Sequence, residues 1–390
     1  MLFRSYIMKI VFPKESFLQK LVPAMGTVST KNTIAAIEGV LIETLEDGKV
    51  RLSTYDMNKG VRALMDDVQI IEEGSYIINA TRLLQYIKVM PDSDITMEVD
   101  SGLNVRLYSG KSSFSLYAFK GSEFPTLPEL SGERGFTIAG DFLKKMIGKV
   151  IHSVAVQESR PMLCGAFFKI NENVMEVVSC DSYTLSRCTV KCDIDSIGAS
   201  YADKFSFIIP GHALNELIRM LPDGDEKVSV YLARKHAIFR MGDITFFTRM
   251  IDSEYIDYER IMPKDQTIFV KINRLRLLEG LERAGLVAEE KIQGSARSHV
   301  KVVVTGNMMT LTSSSVNGKV YDEIECVHEG DDIEIGFNCR YLINSVRAAD
   351  SDEVKITMKS PKQSITIEPV EKKEDSDFFY MVLPVRMKEE

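Results

Sequence analysis

Long apolar runs are missing from this 390-residue chain. No stretch reaches the roughly 18 consecutive apolar residues that a membrane-spanning helix needs, so no membrane partner is expected. The N-terminal residues 1–12 lack both the extended apolar core and the small-residue cleavage site of a secretory signal. Cysteine is scarce: Cys164, Cys180, Cys188, Cys192, Cys326 and Cys339 all follow residue 160, and no two form a CxxC pair. Such scattered cysteines read as buried thiols in a reducing compartment, which predicts a cytoplasmic protein. His152, His212, His236, His299 and His328 show no metal-ligand spacing, and GxSxG, HExxH and GxGxxG are all absent. Gly110-Lys111-Ser112 resembles the end of a phosphate loop, but Val105 stands where the earlier glycine is required, so a hairpin turn is predicted. No resident cofactor, no metal and no catalysis are expected.

What is present is ordinary in bulk. Apolar residues make up 45% and charged residues 27%, which excludes collagen-like, mucin-like and wholly disordered chains. The formal charge is −8. A chain acidic throughout would be repelled by nucleic acid, unless its charge is segregated.

An internal repeat organises the chain. Residues 75–94, 206–225 and 333–352 each read as a short strand, a turn, a helix, an acidic turn and another strand. Asn79, Pro210 and Asn338 mark the turn, 131 and 128 residues apart. A second pattern places a strand before an amphipathic helix near Ser16, Asp141 and Asn273, whose side chains suit the N-cap position. Alternating strands lie between, such as residues 39–43 with 49–53, 165–169 with 175–179, and 300–304 with 309–312. Met8 opens the first strand, and residues 1–7 read as an upstream extension. A period near 130 residues fits whole domains rather than solenoid units. The expectation is an α+β chain of three similar domains, 1–133, 134–264 and 265–390, each with two strand–helix–strand–strand units. The pairs Asp92/Asp94, Asp223/Asp225 and Asp350/Asp352 occupy the same slot in all three repeats, which favours polar turns over metal sites.

Charge is indeed segregated. The six expected helices, residues 13–26, 81–90, 141–152, 211–221, 273–284 and 339–349, hold thirteen basic and five acidic side chains. Their net of +8 leaves −16 for the remainder. Glutamate is as good a helix former as lysine, so its scarcity here points to polyanion contact through backbone charge. Arg82, Lys144, Lys145, Lys149, Arg219, Arg276 and Arg347 are candidates for that contact. No zinc-finger, basic-zipper or aromatic RNA-binding motif is present, so base-specific readout is not expected.

Three repeats, basic helices and an acidic remainder resemble the bacterial sliding clamps, the beta subunits of DNA polymerase III. The motifs that carry the resemblance are Phe114-Ser-Leu116 with Phe124-Pro-Thr-Leu127, Asp257-Tyr258 through Arg260 and Pro263, and the C-terminal run Met381 to Met387. The resemblance implies tandem DNA-clamp domains, a ring-forming homodimer around duplex DNA, and the role of processivity factor without catalysis. It implies partners that bind through short peptides: the replicative polymerase, the clamp loader and repair proteins. Loop positions near DNA would be Lys31 and the segment Gln157–Met162, where Arg160 supplies charge. The partner-peptide cleft would be lined by Leu163, Cys180, Tyr183, Leu185, Arg260, Ile261, Ser364, Met381, Val382, Leu383, Pro384, Val385, Arg386 and Met387. The dimer interface would use Phe114 and Leu116 against Leu286 and Val287. The chain departs from the family pattern at Asp181-Ser-Tyr-Thr-Leu185, at Ile256, at Arg297 and in the extension Lys388–Glu390. From the residues alone, Pro384 should end strand pairing, leaving Val385 and Met387 exposed beyond the sheet. Two other readings stand beside the clamp: a metal-dependent nucleic-acid-processing enzyme using the acidic turns, and a β-rich scaffold with no DNA role.

Overall fold

The computed structural model describes residues 6–29, 35–130, 132, 134–198, 204–288, 299–315, 318–371, 373 and 375–387. Its helices are α1 (Lys14–Ala24), α2 (Ala80–Val89), α3 (Gly140–Val150), α4 (Gly211–Met220), the short α5 (Tyr258–Ile261), α6 (Arg274–Ala288) and α7 (Cys339–Ala348). Each of the six longer helices lies where the repeat predicts one. The halves of each repeat carry one more strand than expected. A strand and helix are followed by three strands, as in Gly39–Thr44, Val50–Tyr55 and Lys59–Met65 after α1. A further short strand, such as Gln69–Glu72, pairs back on the repeat's first strand. The first strand starts at Tyr6, two residues before Met8.

Helix starts follow local chemistry. Asn79 Oδ1 accepts the amide of Arg82 at 3.0 Å, Asn273 Oδ1 that of Arg276 at 3.0 Å, and Asn338 Oδ1 that of Arg340 at 3.1 Å. Each satisfies a first-turn donor that would otherwise lack a partner. Two expected caps lie elsewhere. α1 begins at Lys14 behind Pro13, so Ser16 sits inside the first turn, and α3 begins at Gly140, ahead of Asp141. Pro13 already has the extended backbone an N-cap needs. Gly110 adopts φ +58° and closes a hairpin in which Ser109 faces Ser112, as predicted for that turn.

The chain divides into two compact units. One comprises Met1–Asp141, Asp195–Ser200 and Asn215–Met250; the other Phe142–Ile194, Tyr201–Leu214 and Ile251–Glu390. Within the first, a 14-stranded sheet runs continuously from the second repeat into the first. Its core includes Phe12, Phe17, Leu21, Leu83 and Ile87, the apolar faces of α1 and α2. Within the second, a nine-stranded sheet joins the second and third repeats, beside a four-stranded sheet. α6 and α7 pack there over Val302, Leu311, Phe337 and Ile356. Compactness therefore cuts across the repeats, because hydrogen-bonded strands cross each repeat junction. Among the described residues no helix is long and apolar enough to cross a membrane.

Candidate functional site

A tight turn anchors the predicted cleft. Asp181 Oδ1 accepts the backbone amides of Tyr183 at 3.0 Å and Thr184 at 2.6 Å. Ser182 is thereby held at φ +77°, a left-handed conformation an Asx-type turn can impose. Beneath it, Thr184 Oγ1 lies 2.8 Å from Ser153 Oγ, Ser153 2.7 Å from Ser186, and Ser186 3.1 Å from His152 Nε2. Burial pushes the His152 imidazole down to about 4.

Four sequence-predicted cleft residues meet beside this turn. Leu163, Cys180, Leu185 and Met381 form one apolar cluster with Val178, Tyr258 and Phe379. Leu163 and Leu185 are wholly buried, so they form a floor and offer no open surface. Tyr183, Ile261 and Leu383 are exposed apolar side chains. The Tyr183 ring stacks on Tyr341, centroids 5.8 Å apart. Arg260 is tied to Asp257 at 2.7 Å, and the Ser364 carbonyl accepts from Gln266 at 3.1 Å. Val382 belongs to the adjoining core of the third repeat. The cluster also packs Met162, Phe167, Tyr255, Ile256 and Met262. Of these, Ile256 carried a signal in the sequence as a departure from the family pattern, and Met162 as the end of the segment expected near DNA, though here it packs against the cleft cluster. Burial raises the Cys180 thiol and the Tyr258 phenol, whose hydroxyl donates to Glu176 at 2.5 Å, so neither is primed as a nucleophile.

The tail corrects an expectation. The Leu383 amide donates to the Tyr183 carbonyl at 2.9 Å, Pro384 is skipped, and the Val385 amide then donates to the Gly336 carbonyl at 2.8 Å. Val385 and Met387 are half-buried rather than exposed, and a Cβ at Gly336 would stand 2.7 Å from Met387 Cγ. The chain changes partners at Pro384, because one missing donor interrupts a ladder without preventing a new one. Arg386 is exposed. Arg297 and residues 388–390 lie outside the described residues.

The basic candidates are unequal. Arg82, Lys145 and Arg276 are exposed on their helices, and Lys144 is half-buried. Arg219 and Arg347 are exposed but paired, with Glu216 at 3.2 Å and Glu282 at 2.8 Å. Lys149 is a correction: mostly buried, its Nζ lies 3.1 Å from Asp350, whose carboxyl it holds below the usual range. That lysine is committed within the chain. Gln157 and Arg160 are exposed, and Arg160 donates to Ser182 Oγ at 2.7 Å. Lys31 lies outside the described residues. Asp92 pairs with Lys14 at 2.7 Å, so two of the acidic turns brace helices. Among the described residues no group of three or more His, Cys, Asp or Glu could hold a metal ion.

Of the dimer candidates, Leu286 is 79% exposed and Val287 half-buried. Phe114 is half-buried against Tyr86, rings 4.5 Å apart. Leu116 is a correction: at 6% exposure it belongs to the core of the first repeat, because its side chain faces inward from its strand. The strand edges are more telling. At one repeat junction Ile244–Arg249 pairs antiparallel with Lys59–Met65; at the other Ser376–Val382 pairs with Thr184–Lys191. These are corresponding strands, with Phe246 opposite Val61 and Tyr380 opposite Ser186. The remaining members of the set are Ser112–Lys120 in the first repeat and Lys319–Glu325 in the third. Among the described residues, 112–117 and 319–325 each have a strand neighbour on one side only.

Comparison with known proteins bears on this geometry. Family models for the N-terminal, central and C-terminal domains of the DNA polymerase III beta subunit match residues 8–128, 137–257 and 259–386. The chain is 27% identical to the beta sliding clamp of Streptococcus pneumoniae, over 96% of this chain and 98% of that one. It is 25% identical to the beta sliding clamp of Staphylococcus epidermidis, over 97% of this chain and all of the other. The crystal structure of a Streptococcus pneumoniae DNA polymerase III beta chain superposes with a TM-score of 0.88 at 26% identity, covering 97% of this chain and 100% of that one. With all three repeats matched in order, the chain belongs to the DNA polymerase III beta subunit family, the bacterial sliding clamps.

Proposed function

We propose that two copies of this chain close head to tail into a ring around duplex DNA and act as a processivity factor in the cytoplasm, without catalysing a reaction. The observation that carries this reading is the pair of equivalent strand junctions. Two of the three possible junctions are made within the chain, and the third needs a strand from the first repeat and one from the third. A second copy supplies both and leaves no free edge of this set. Transferring the register of the internal junctions places Phe114 opposite Val320 of the second copy and Ser113 opposite Tyr321. The exposed Leu286 flanks that contact on α6, which packs against the strand Lys319–Glu325. Arg82, Lys144, Lys145, Arg276, Gln157 and Arg160 then face the DNA backbone, with Arg219 and Arg347 releasing their carboxylates to do so. Duplex binding is weak and independent of sequence, since retention is topological. The face around Tyr183, Ile261 and Leu383 receives short peptides of the polymerase, the clamp loader and repair proteins. A bound polymerase is held at high effective concentration near the primer end. Nothing in the comparisons favours the metal-dependent enzyme. The test is retention: once loaded, the protein stays on nicked circular DNA and runs off the linearised form. Equal loss from both topologies rejects the ring.

A further inference from the structure

The turn that carries Tyr183 has a counterpart at the other repeat junction. Asp56 Oδ1 accepts the amides of Asn58 at 3.0 Å and Lys59 at 2.8 Å, and Met57 stands at φ +76°. As Leu383 bonds to Tyr183, so the Arg249 amide donates to the Asn58 carbonyl at 2.8 Å. The chemistry around the two turns differs. At Tyr183 the surrounding side chains are largely apolar. At Met57 they are basic: His236 lies directly opposite Arg249 in the strand ladder, and Arg234 and Lys235 form the tip of the adjoining turn, closed by the Ala233 amide on the His236 carbonyl at 2.9 Å. Arg234, Lys235 and Arg249 are exposed, and none makes an ion pair with a described residue. Burial, then the charges of Arg249 and Lys235, hold the His236 imidazole below its ordinary value. Asp56 is occupied by its own turn and by Lys59 at 3.0 Å. The opposite end of the same strands is acidic, with Asp225, Glu226 and Asp243. Amid the cations, Met57 is 46% exposed.

We propose that this basic end of the sheet is a second docking face, which takes an acidic segment of a partner protein with an apolar side chain for Met57. The inference rests on the reading of the Tyr183 turn as a partner-peptide face, because the two turns share one backbone design. An exposed thioether among cations suits a peptide better than a phosphate backbone, which has no apolar group to offer. Charge complementarity sets the sign of the occupant and makes its binding salt-sensitive.

The test uses the full-length chain and a short fluorescein-labelled peptide of alternating glutamate and leucine, followed by anisotropy at low salt. Arg234→Glu with Arg249→Glu should weaken its binding at least about tenfold. The milder Arg234→Gln with Arg249→Gln should give an intermediate loss, which guards against misfolding. A second peptide with a Gln-x-x-Leu core should keep its affinity in both variants. If the acidic peptide binds parent and variants alike, the second face is rejected. It is also rejected if the substitutions weaken a duplex oligonucleotide but not the peptide, since the patch then contacts DNA. A parent chain that binds the acidic peptide but not the Gln-x-x-Leu peptide overturns the Tyr183 reading and leaves the basic face standing.

Discussion

At the scale of single residues, two side chains hold the Tyr183 face in place. Asp181 accepts two amides and lies 2.9 Å from Thr184 Oγ1. Asp181→Ala leaves the turn without its acceptor while Ser182 keeps an unfavourable φ. The expected cost is about 2 kcal/mol, read from urea denaturation, together with weaker peptide binding because Tyr183 loses its support. A stability loss below a few tenths of a kcal/mol would show that the turn holds itself. His152 gives a pH dependence with a definite sign. Its folded pKa, about 4, is below the ordinary 6.5, so between these values the unfolded chain binds a proton that the folded chain does not. Stability is complete above about pH 6.5 and falls as pH drops towards 4, by at most about 3 kcal/mol from this group. His152→Gln should flatten the melting temperature across that window. A variant that loses stability as steeply as the parent places the acid-sensitive group elsewhere.

At the scale of elements, the asparagine caps and the interior serine separate two readings of where helices begin. Asn79→Ala and Asn338→Ala should each cost about 1 kcal/mol by chemical denaturation. Ser16→Ala, inside the first turn of α1, should be neutral or slightly stabilising, since alanine is the better helix former. A comparable loss at Ser16 would mean that α1 starts three residues later, with Ser16 as its cap in place of Pro13. The helices were readable because their apolar spacing is strong and their caps are local. α6 runs four residues beyond its expected end, to Ala288, because Gly285 packs against Ile343 of α7, with a Cβ there only 3.1 Å from that side chain. That reason lies in another element and not in the segment itself.

At the scale of the whole molecule, the strand edges make the sharpest prediction. The two-residue turn Gly110-Lys111 makes Ser109 and Ser112 the closing hydrogen-bonded pair, so residues 113, 115 and 117 point their amides outward. Ser115→Pro removes an outward donor that the chain itself does not use. Sedimentation should show monomers with unchanged circular dichroism; an intact dimer would rule out this edge. Leu286→Ala, by contrast, removes an exposed side chain and should loosen the dimer without touching the fold. For DNA, replacing Arg82 and Arg276 with alanine should lower the salt slope of duplex binding by about one unit for each phosphate left without its cation. Lys149→Ala should leave that slope unchanged, because its charge is already spent on Asp350, and should instead reduce stability.

The sequence by itself determined the repeat, its α+β composition, the helix positions and the concentration of positive charge on those helices. Each is written locally, in apolar period, cap residue or residue type, and survives without knowledge of neighbours. The family followed from motifs in the right order. Only the tertiary structure decided which residues are surface. Leu163, Leu185 and Leu116 carry the same side chain as exposed Leu286, and only packing distinguishes a buried floor from a contact. Only tertiary structure paired Lys149 with Asp350, 201 positions away, and turned the tail back onto Gly336 past a proline that interrupts hydrogen bonding. The equivalence of the two strand junctions was likewise invisible in the sequence, because strand register depends on partners far along the chain, while the pattern that encodes each strand is satisfied by its own two faces.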